Sequence, residues 1–463
     1  LRPIFLPALT ACSADRAQRT SRRASRSVLA LAAVSVCACS LAWSQVPAAT
    51  QADEFSLSLA AAERLLVQHS PVVAAARAAA AVAASETARV DVAPNPTLQA
   101  ALSNTRAGRY PYGASDRLLR LEQLVERGGK RDLRVGLAAG LADAARLEAA
   151  DQLRQQFALL GSAHADLAAA QQLEELAFEN RAAWDRLVQA GTLRVAAGDL
   201  APADQLRLEL EAQRAAVDYR AASAARAQGR AALAALIGLR DPGPLLRAVE
   251  GLPDAAAIMQ TFAELERDRP LALSVGLDDR PDVRAAERRL VAAERAFTLA
   301  ASLRVRDVTV GMQLERTPDF GGTVVGVSLG VPLLVNNDYR GELLRAQADI
   351  ELARTGLARS RVAALAEAQA AWVRLSAAAD RAARLLRESL PRAESVAAMV
   401  VAGFSQGGAS INDLFDTRRQ LIAARVEAVQ ARAEFARALA QWRGALSSAD
   451  GEPGVQASRG RRP

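Results

Sequence analysis

Apolar positions recur at helical spacing through most of the chain and switch to strict alternation in four short segments. The helical pattern runs over 57–92, 131–196 and 202–236, and again over 281–303, 341–402 and 411–447. At about 1.5 Å per residue the two longest segments span roughly 95 to 100 Å. Two shorter helices laid end to end nearly cover one long partner. The pattern therefore predicts a mostly α pillar of paired helices with a small β part.

The alternating segments are clearest in the second half. Val308, Val310, Met312 and Leu314 share one face against Thr309, Gly311 and Gln313, and Val325, Val327, Leu329, Val331 and Leu333 alternate with Gly326, Ser328 and Gly330. In the first half Leu98, Ala100 and Leu102 alternate with Gln99, Ala101 and Ser103, and Leu119, Leu121 and Val125 with Arg120 and Glu122, more weakly. A half-buried sheet of an exported soluble protein is one reading. A lipid-facing sheet is the other, because the two clean segments are about as long as a membrane strand. Four strands cannot close a barrel within one chain, and open edges are not tolerated in lipid. Three copies would give a twelve-strand barrel, apolar outside and polar inside, although this argument leaves two or four copies open.

The two halves repeat. His69, Ser70, Pro71 and Val72 open one Ala-rich helix, and Arg280, Pro281, Asp282 and Val283 open another about 210 residues later. Gly198 precedes Asp204 by six residues, as Gly407 precedes Asp413. The expected divisions are a signal peptide at 1–44, a first repeat at 45–240, an irregular connector at 241–280, a second repeat at 281–447 and a disordered tail at 448–463.

Composition supports long, close helices: 51% of residues are apolar but only 4% aromatic, and alanine supplies the excess. The net charge of +7 is concentrated at the start, where 1–44 hold six arginines and one aspartate. What remains is near neutral, which argues against nucleic-acid binding. Arg22, Arg23 and Arg26 precede an apolar run over 28–41 ending in small residues, a secretory signal. Cys12, Cys37 and Cys39 all fall inside it, and the segment 36–39 also loosely resembles a lipoprotein cleavage box. Charges such as Arg425, Glu427, Arg432, Glu434 and Arg437 read as a solvated coiled-coil face with i,i+4 pairs.

The segment Gly403, Phe404, Ser405, Gln406, Gly407, followed by Leu414, Phe415, Asp416, Thr417, Arg418, Arg419, Gln420 and Leu421, resembles the pattern of the TolC family of outer-membrane efflux proteins. Arg418 stands where that family usually has Gln. Pro94, Asn95 and Pro96, and the Arg280–Pro281–Asp282 triplet, fit the same pattern. Gly128, Gly129, Lys130 and Arg131 resemble a turn frequent in its heavy-metal cation-efflux members, and Lys130 is the chain's single lysine. The resemblance implies a homotrimeric channel in the outer membrane of a Gram-negative bacterium. It implies a barrel continued by a helical periplasmic tunnel, meeting a periplasmic adaptor and an inner-membrane pump, for which the resistance-nodulation-division type is one candidate. Conduction would be passive, with heavy-metal cations as one candidate cargo. A periplasmic adaptor is the alternative, but it would carry a single hairpin.

The tunnel mouth falls at the turns from Gly198 to Asp204 and from Gly407 to Asp413. Asp204, Asp413 and Asp416 either form acidic rings there or serve helix starts, and one carboxylate can do both. His69 and His164 lie on different helices with no clustered ligands. Neither a metal centre, nor a cofactor site, nor a nucleophile with its base emerges, so an enzyme is not expected.

Overall fold

The computed structural model describes residues 56–103, 115–240, 246–317, 321–406 and 408–447. The expected leader, the expected tail and Gly407 lie outside the described residues.

Each half places a helix, two strands, a long helix and a returning helix in the same order. In the first, these are α2 (Pro71–Val90), β2 (Thr97–Ser103), β3 (Asp116–Val125), α3 (Lys130–Ala196) and α4 (Pro202–Leu236). In the second they are α6 (Pro281–Ser302), β5 (Val308–Arg316), β6 (Thr323–Gly330), α7 (Arg340–Arg384) continued by α8 (Leu390–Ser405), and α9 (Ile411–Leu446). Pro71 and Pro281 occupy the first turn of equivalent helices, where a missing N–H leaves nothing unsatisfied.

Three stretches differ from the sequence reading. The run over 57–92 is two helices, α1 (Leu59–His69) and α2, because Ser70 takes an extended conformation before Pro71. The run over 341–402 is interrupted by a π-helical stretch, Leu385–Ser389. Pro391 follows it, and a proline ring inside a continuous helix displaces the carbonyl four residues back, so the ladder widens there. The described part of the connector, from 246 onward, is not irregular. A short strand β4 (Arg247–Ala248) pairs parallel with β1 (Ser56–Leu57), and a helix α5 (Ala255–Gly276) follows. Asp254 starts α5 by accepting from the Ala257 N–H at 2.8 Å. Pro270 obscured this helix in the sequence, but Ile258, Phe262, Leu265 and Leu273 keep the helical period and pack against the core.

Burial is divided among separate clusters. Leu57, Leu66, Leu160, Leu167, Leu233 and Ile237 bind α1, α3 and α4 to the β1/β4 pair. Trp372, Leu375, Phe435 and Trp442 bind α7 and α9 beneath α5, with the rings of Trp372 and Trp442 5.0 Å apart edge to face. Between these anchors the helices touch mainly through alanine, which admits close axes. Some arginines pair along their own helices, as Arg354 does with Glu351 and Arg419 with Asp416, while several charged side chains on and beside α9 reach neighbouring elements. Arg381 on α7 meets Glu434 at 2.8 Å, Arg425 meets Glu394 at 3.1 Å, and Arg432 donates to the Leu252 and Pro253 carbonyls. The expected i,i+4 face of α9 is thus largely a set of bridges between elements.

β2, β3, β5 and β6 form one antiparallel sheet in that order. The two hairpins join through β3 and β5, paired from Arg117 with Arg316 to Val125 with Val308. Among the described residues β2 pairs only with β3 and β6 only with β5, so both outer edges are open.

Candidate functional site

The sheet register brings the alternating positions into rows. Leu98, Leu121, Met312 and Val327 lie across from one another, as do Ala100, Leu119, Leu314 and Val325. This face is open: Val327 is 88% exposed, Leu329 70% and Val325 65%. Val310, Met312 and Leu314 are also exposed, whereas Val308 is half-buried and Val331 lies just past the end of β6. A contiguous apolar surface of this kind marks contact with something apolar. Gln123 interrupts it, and its amide donates to the Pro94 carbonyl at 2.8 Å. The opposite face is polar. Arg120 donates to Gln313 Oε1 at 3.0 Å and lies 3.4 Å from Glu122, while Gly311 sits across from Ser328.

Below the sheet the Gly128–Arg131 turn joins the two halves. Gly128 and Gly129 have φ of 74° and 67°, and a Cβ at Gly128 would lie 2.9 Å from Val305 Cβ. The turn starts α3 so that the Lys130 ammonium, 6% exposed, donates to the Val305 carbonyl and to Asp307 Oδ1, each at 2.8 Å. The Arg127 N–H reaches the same carboxylate oxygen at 2.9 Å. Arg131 turns outward to Asp91.

At the far end of the helices lie the tips. α3 stops at Gly198, φ 83°, where the Asp199 N–H reaches the Arg194 carbonyl at 2.8 Å and Gly198 N–H reaches Val195 at 3.1 Å, a Schellman closure. Asp204 sits in the first turn of α4 and pairs with Arg207 at 3.1 Å. Ser410 and Asp413 form a complete capping box on α9. The hydrogen bonds from the Ser410 hydroxyl and N–H hold the Asp413 carboxyl below its usual range. Asp416 is 69% exposed, and its one ion pair among the described residues is with Arg419, at 3.7 Å. The two hairpins are pinned together by Trp184, Leu208 and Phe415, with the Trp184 and Phe415 rings 5.6 Å apart. Arg419 crosses from α9 to Glu211 on α4, whose carboxyl is held low by that guanidinium. Phe404 lies under Arg194, 5.3 Å from the guanidinium carbon to the ring centre.

A buried charge network escaped the sequence reading. Arg280 is 1% exposed and donates to Asp282, to Glu367 at 2.7 Å and to the Ala445 carbonyl at 3.0 Å. Arg154 reaches the same Glu367 at 3.2 Å and the Gly444 carbonyl at 2.9 Å. Two guanidinium groups thus close the C-terminus of α9, where positive charge is favoured. The available signal was Arg280 at the cap of α6, a poor place for a cation unless it is recruited elsewhere.

His164 is buried with Nε2 3.3 Å from the Leu57 carbonyl, and His69 ends α1 on the surface. Among the described residues no three of His, Cys, Asp and Glu gather as metal ligands. No single described helix is long and apolar enough to cross a membrane, and α1 with α2 passes that test only as a pair bent by 45°. This bears on helices alone and leaves a β-barrel open.

Residues 272–448 match the family described as outer membrane efflux protein. The cobalt-zinc-cadmium resistance protein CzcC of Cupriavidus metallidurans is 25% identical over 335 residues, covering 72% of this chain and 77% of its own. Among solved structures, the outer-membrane channel OprN is similar with a TM-score of 0.66 at 20% identity, over 84% of this chain and 90% of that one. CusC is similar with a TM-score of 0.68 at 13% identity, over 84% and 92%. The outer membrane protein VceC of Vibrio cholerae matches with a TM-score of 0.66 at 18% identity, over 84% and 96%. At those identities the structural likenesses speak for the fold.

Proposed function

We infer that this chain is an outer membrane efflux protein serving as the exit duct of a tripartite efflux pump in a Gram-negative bacterium. The sheet carries the reading. It exposes apolar rows on one face, a polar Arg120–Gln313 row on the other, and two open edges. In lipid an open edge leaves N–H and C=O groups without partners, each a loss of several kcal/mol. Joining β6 of one copy to β2 of the next satisfies both. Three copies then close twelve strands with the polar face lining water and the apolar face against lipid.

The helices continue the duct through the periplasm for roughly 100 Å. Their tips meet a periplasmic adaptor, and an inner-membrane pump of the resistance-nodulation-division type supplies the energy. Nothing in the duct consumes energy, so substrate moves down its gradient. Divalent metal cations are the proposed cargo, on the strength of the Gly128–Arg131 turn and of the likeness to a cobalt-zinc-cadmium resistance protein. The exposed Asp416 carboxylates, arranged about the threefold axis, would attract them. The periplasmic adaptor alternative has no use for a sheet with an exposed apolar face.

The test is expression of the full chain in a Gram-negative host. A heat-modifiable trimer in the outer-membrane fraction, and cobalt, zinc or cadmium sensitivity on deletion from the native host, are expected. A soluble periplasmic monomer would overturn the duct. A trimer without metal phenotype would remove only the cargo.

A further inference from the structure

A groove of about 450 Å³ opens between α3, α8 and α9, beside the cluster that pins the tips. Its lining includes Arg186, Arg418, Arg425, Glu179 and Asn180. Arg425 is paired with Glu394 at 3.1 Å. Neither Arg186 nor Arg418 has an ion pair among the described residues, and Glu179, exposed on the same groove, pairs with neither. Arg418 stacks on the Trp184 ring, 5.4 Å from the guanidinium carbon to the ring centre. An indole face attracts the cation but accepts nothing in the guanidinium plane. Arg418 Nε is accordingly buried with no hydrogen-bond partner, and so is Asn180 Oδ1 on the same groove. Burial, with Arg186 and Arg425 nearby, pushes the Arg418 guanidinium below its usual value. Leaving such groups unmet is unfavourable, and the two orphans ask for opposite things. Nε needs an acceptor, preferably charged, while Oδ1 needs a donor.

We propose that this groove binds a small oxyanion that also carries a hydroxyl, either hydrogen phosphate or a hydroxycarboxylate. Its anionic oxygen accepts from Arg418 Nε and balances Arg186, and its hydroxyl donates to Asn180 Oδ1. Chloride or acetate would meet the charge and leave Asn180 unsatisfied. Arg418 replaces the Gln usual in the resembling family, so the site belongs to this chain rather than to the fold.

The full-length protein in detergent is titrated calorimetrically with inorganic phosphate and, separately, with glycolate, against acetate and chloride at equal ionic strength. A saturable heat from phosphate or glycolate, at least tenfold tighter than acetate, is expected, and which of the two saturates first identifies the source. Arg418→Gln should weaken binding at least tenfold. Asn180→Leu should equalise glycolate and acetate. Arg186→Gln provides a second charge deletion should Arg418→Gln misfold, which circular dichroism reports. No saturable heat from either anion, or unchanged affinity in both arginine variants, overturns the proposal.

Discussion

The Lys130 ammonium and the Asp307 carboxylate meet at 2.8 Å across 177 positions of sequence, fastening the start of the first long helix to the start of β5. The same ammonium takes the Val305 carbonyl, so one buried cation holds the two halves in register directly beneath the sheet. A guanidinium is larger and planar and does not fit a site this closed. Lys130→Met should lower stability by about 1–3 kcal/mol, because hydrogen bonds to a charged group are lost and Asp307 stays behind. Lys130→Arg should recover only part of this. Thermal melting of the detergent-solubilised protein checks both, and a double cycle with Asp307→Asn should show coupling of about 0.5–3 kcal/mol.

Arg280 and Glu367 predict a pH dependence. Burial raises the carboxyls of Asp282 and Glu367, but hydrogen bonds from Arg280 and the charges of Arg280 and Arg154 outweigh it, so both are held below their usual values. A carboxylate with a lowered folded pKa binds fewer protons folded than unfolded. Its stabilisation is present in full above the unfolded values, about 3.9 for Asp and 4.3 for Glu, and is lost as pH falls through the folded ones. Melting temperature should therefore drop steeply below about pH 4.5. Glu367→Gln should flatten that acid limb, and an unchanged slope would remove the network as its cause.

Much of this fold was legible because its signals are local. Pro71, Pro202 and Pro281 mark helix starts, Gly198 marks a stop, and the alternation from Val308 to Leu314 marks a strand. Ser410 with Asp413 named its own capping box. What stayed hidden depends on partners far along the chain. Arg280 has to find Glu367 and the end of α9, Glu211 has to find Arg419, and α5 hid its apolar stripe behind Pro270. Charge spacing on one helix cannot reveal that its neighbour lies within reach, so the face of α9 was read as solvated.

The two faces of the sheet should respond oppositely to charge. Val327 is on the exposed apolar face and Gln313 on the polar one. Val327→Arg should reduce trimer in the outer membrane, since a lipid-facing arginine near midplane costs about 2–4 kcal/mol in a barrel. Gln313→Lys should assemble normally and change single-channel conductance. Equal tolerance at both positions would rule out lipid contact on this face.

The tip carboxylates separate structural from conducting roles. Asp413 is committed to Ser410 in the capping box, whereas Asp416 is 69% exposed and, among the described residues, ion-paired with Arg419 alone, at 3.7 Å. Asp413→Ala removes the carboxylate half of the capping box, leaving Ser410 as the N-cap, and should lower the melting temperature. Asp416→Asn gives up only a weak surface pair, worth about 0–1 kcal/mol, and should leave melting nearly unchanged. In the proposed trimer, however, Asp416→Asn would delete three charges at the tip end of the duct, where a charged ring would set which ions enter. Reversal potentials in planar bilayers with a salt gradient should therefore shift towards lower cation preference for Asp416→Asn. The shift should shrink as ionic strength rises, because screening shortens the reach of the ring to about 3 Å at 1 M salt. If Asp413→Ala alters selectivity and Asp416→Asn does not, the ring is built from the capping residue instead.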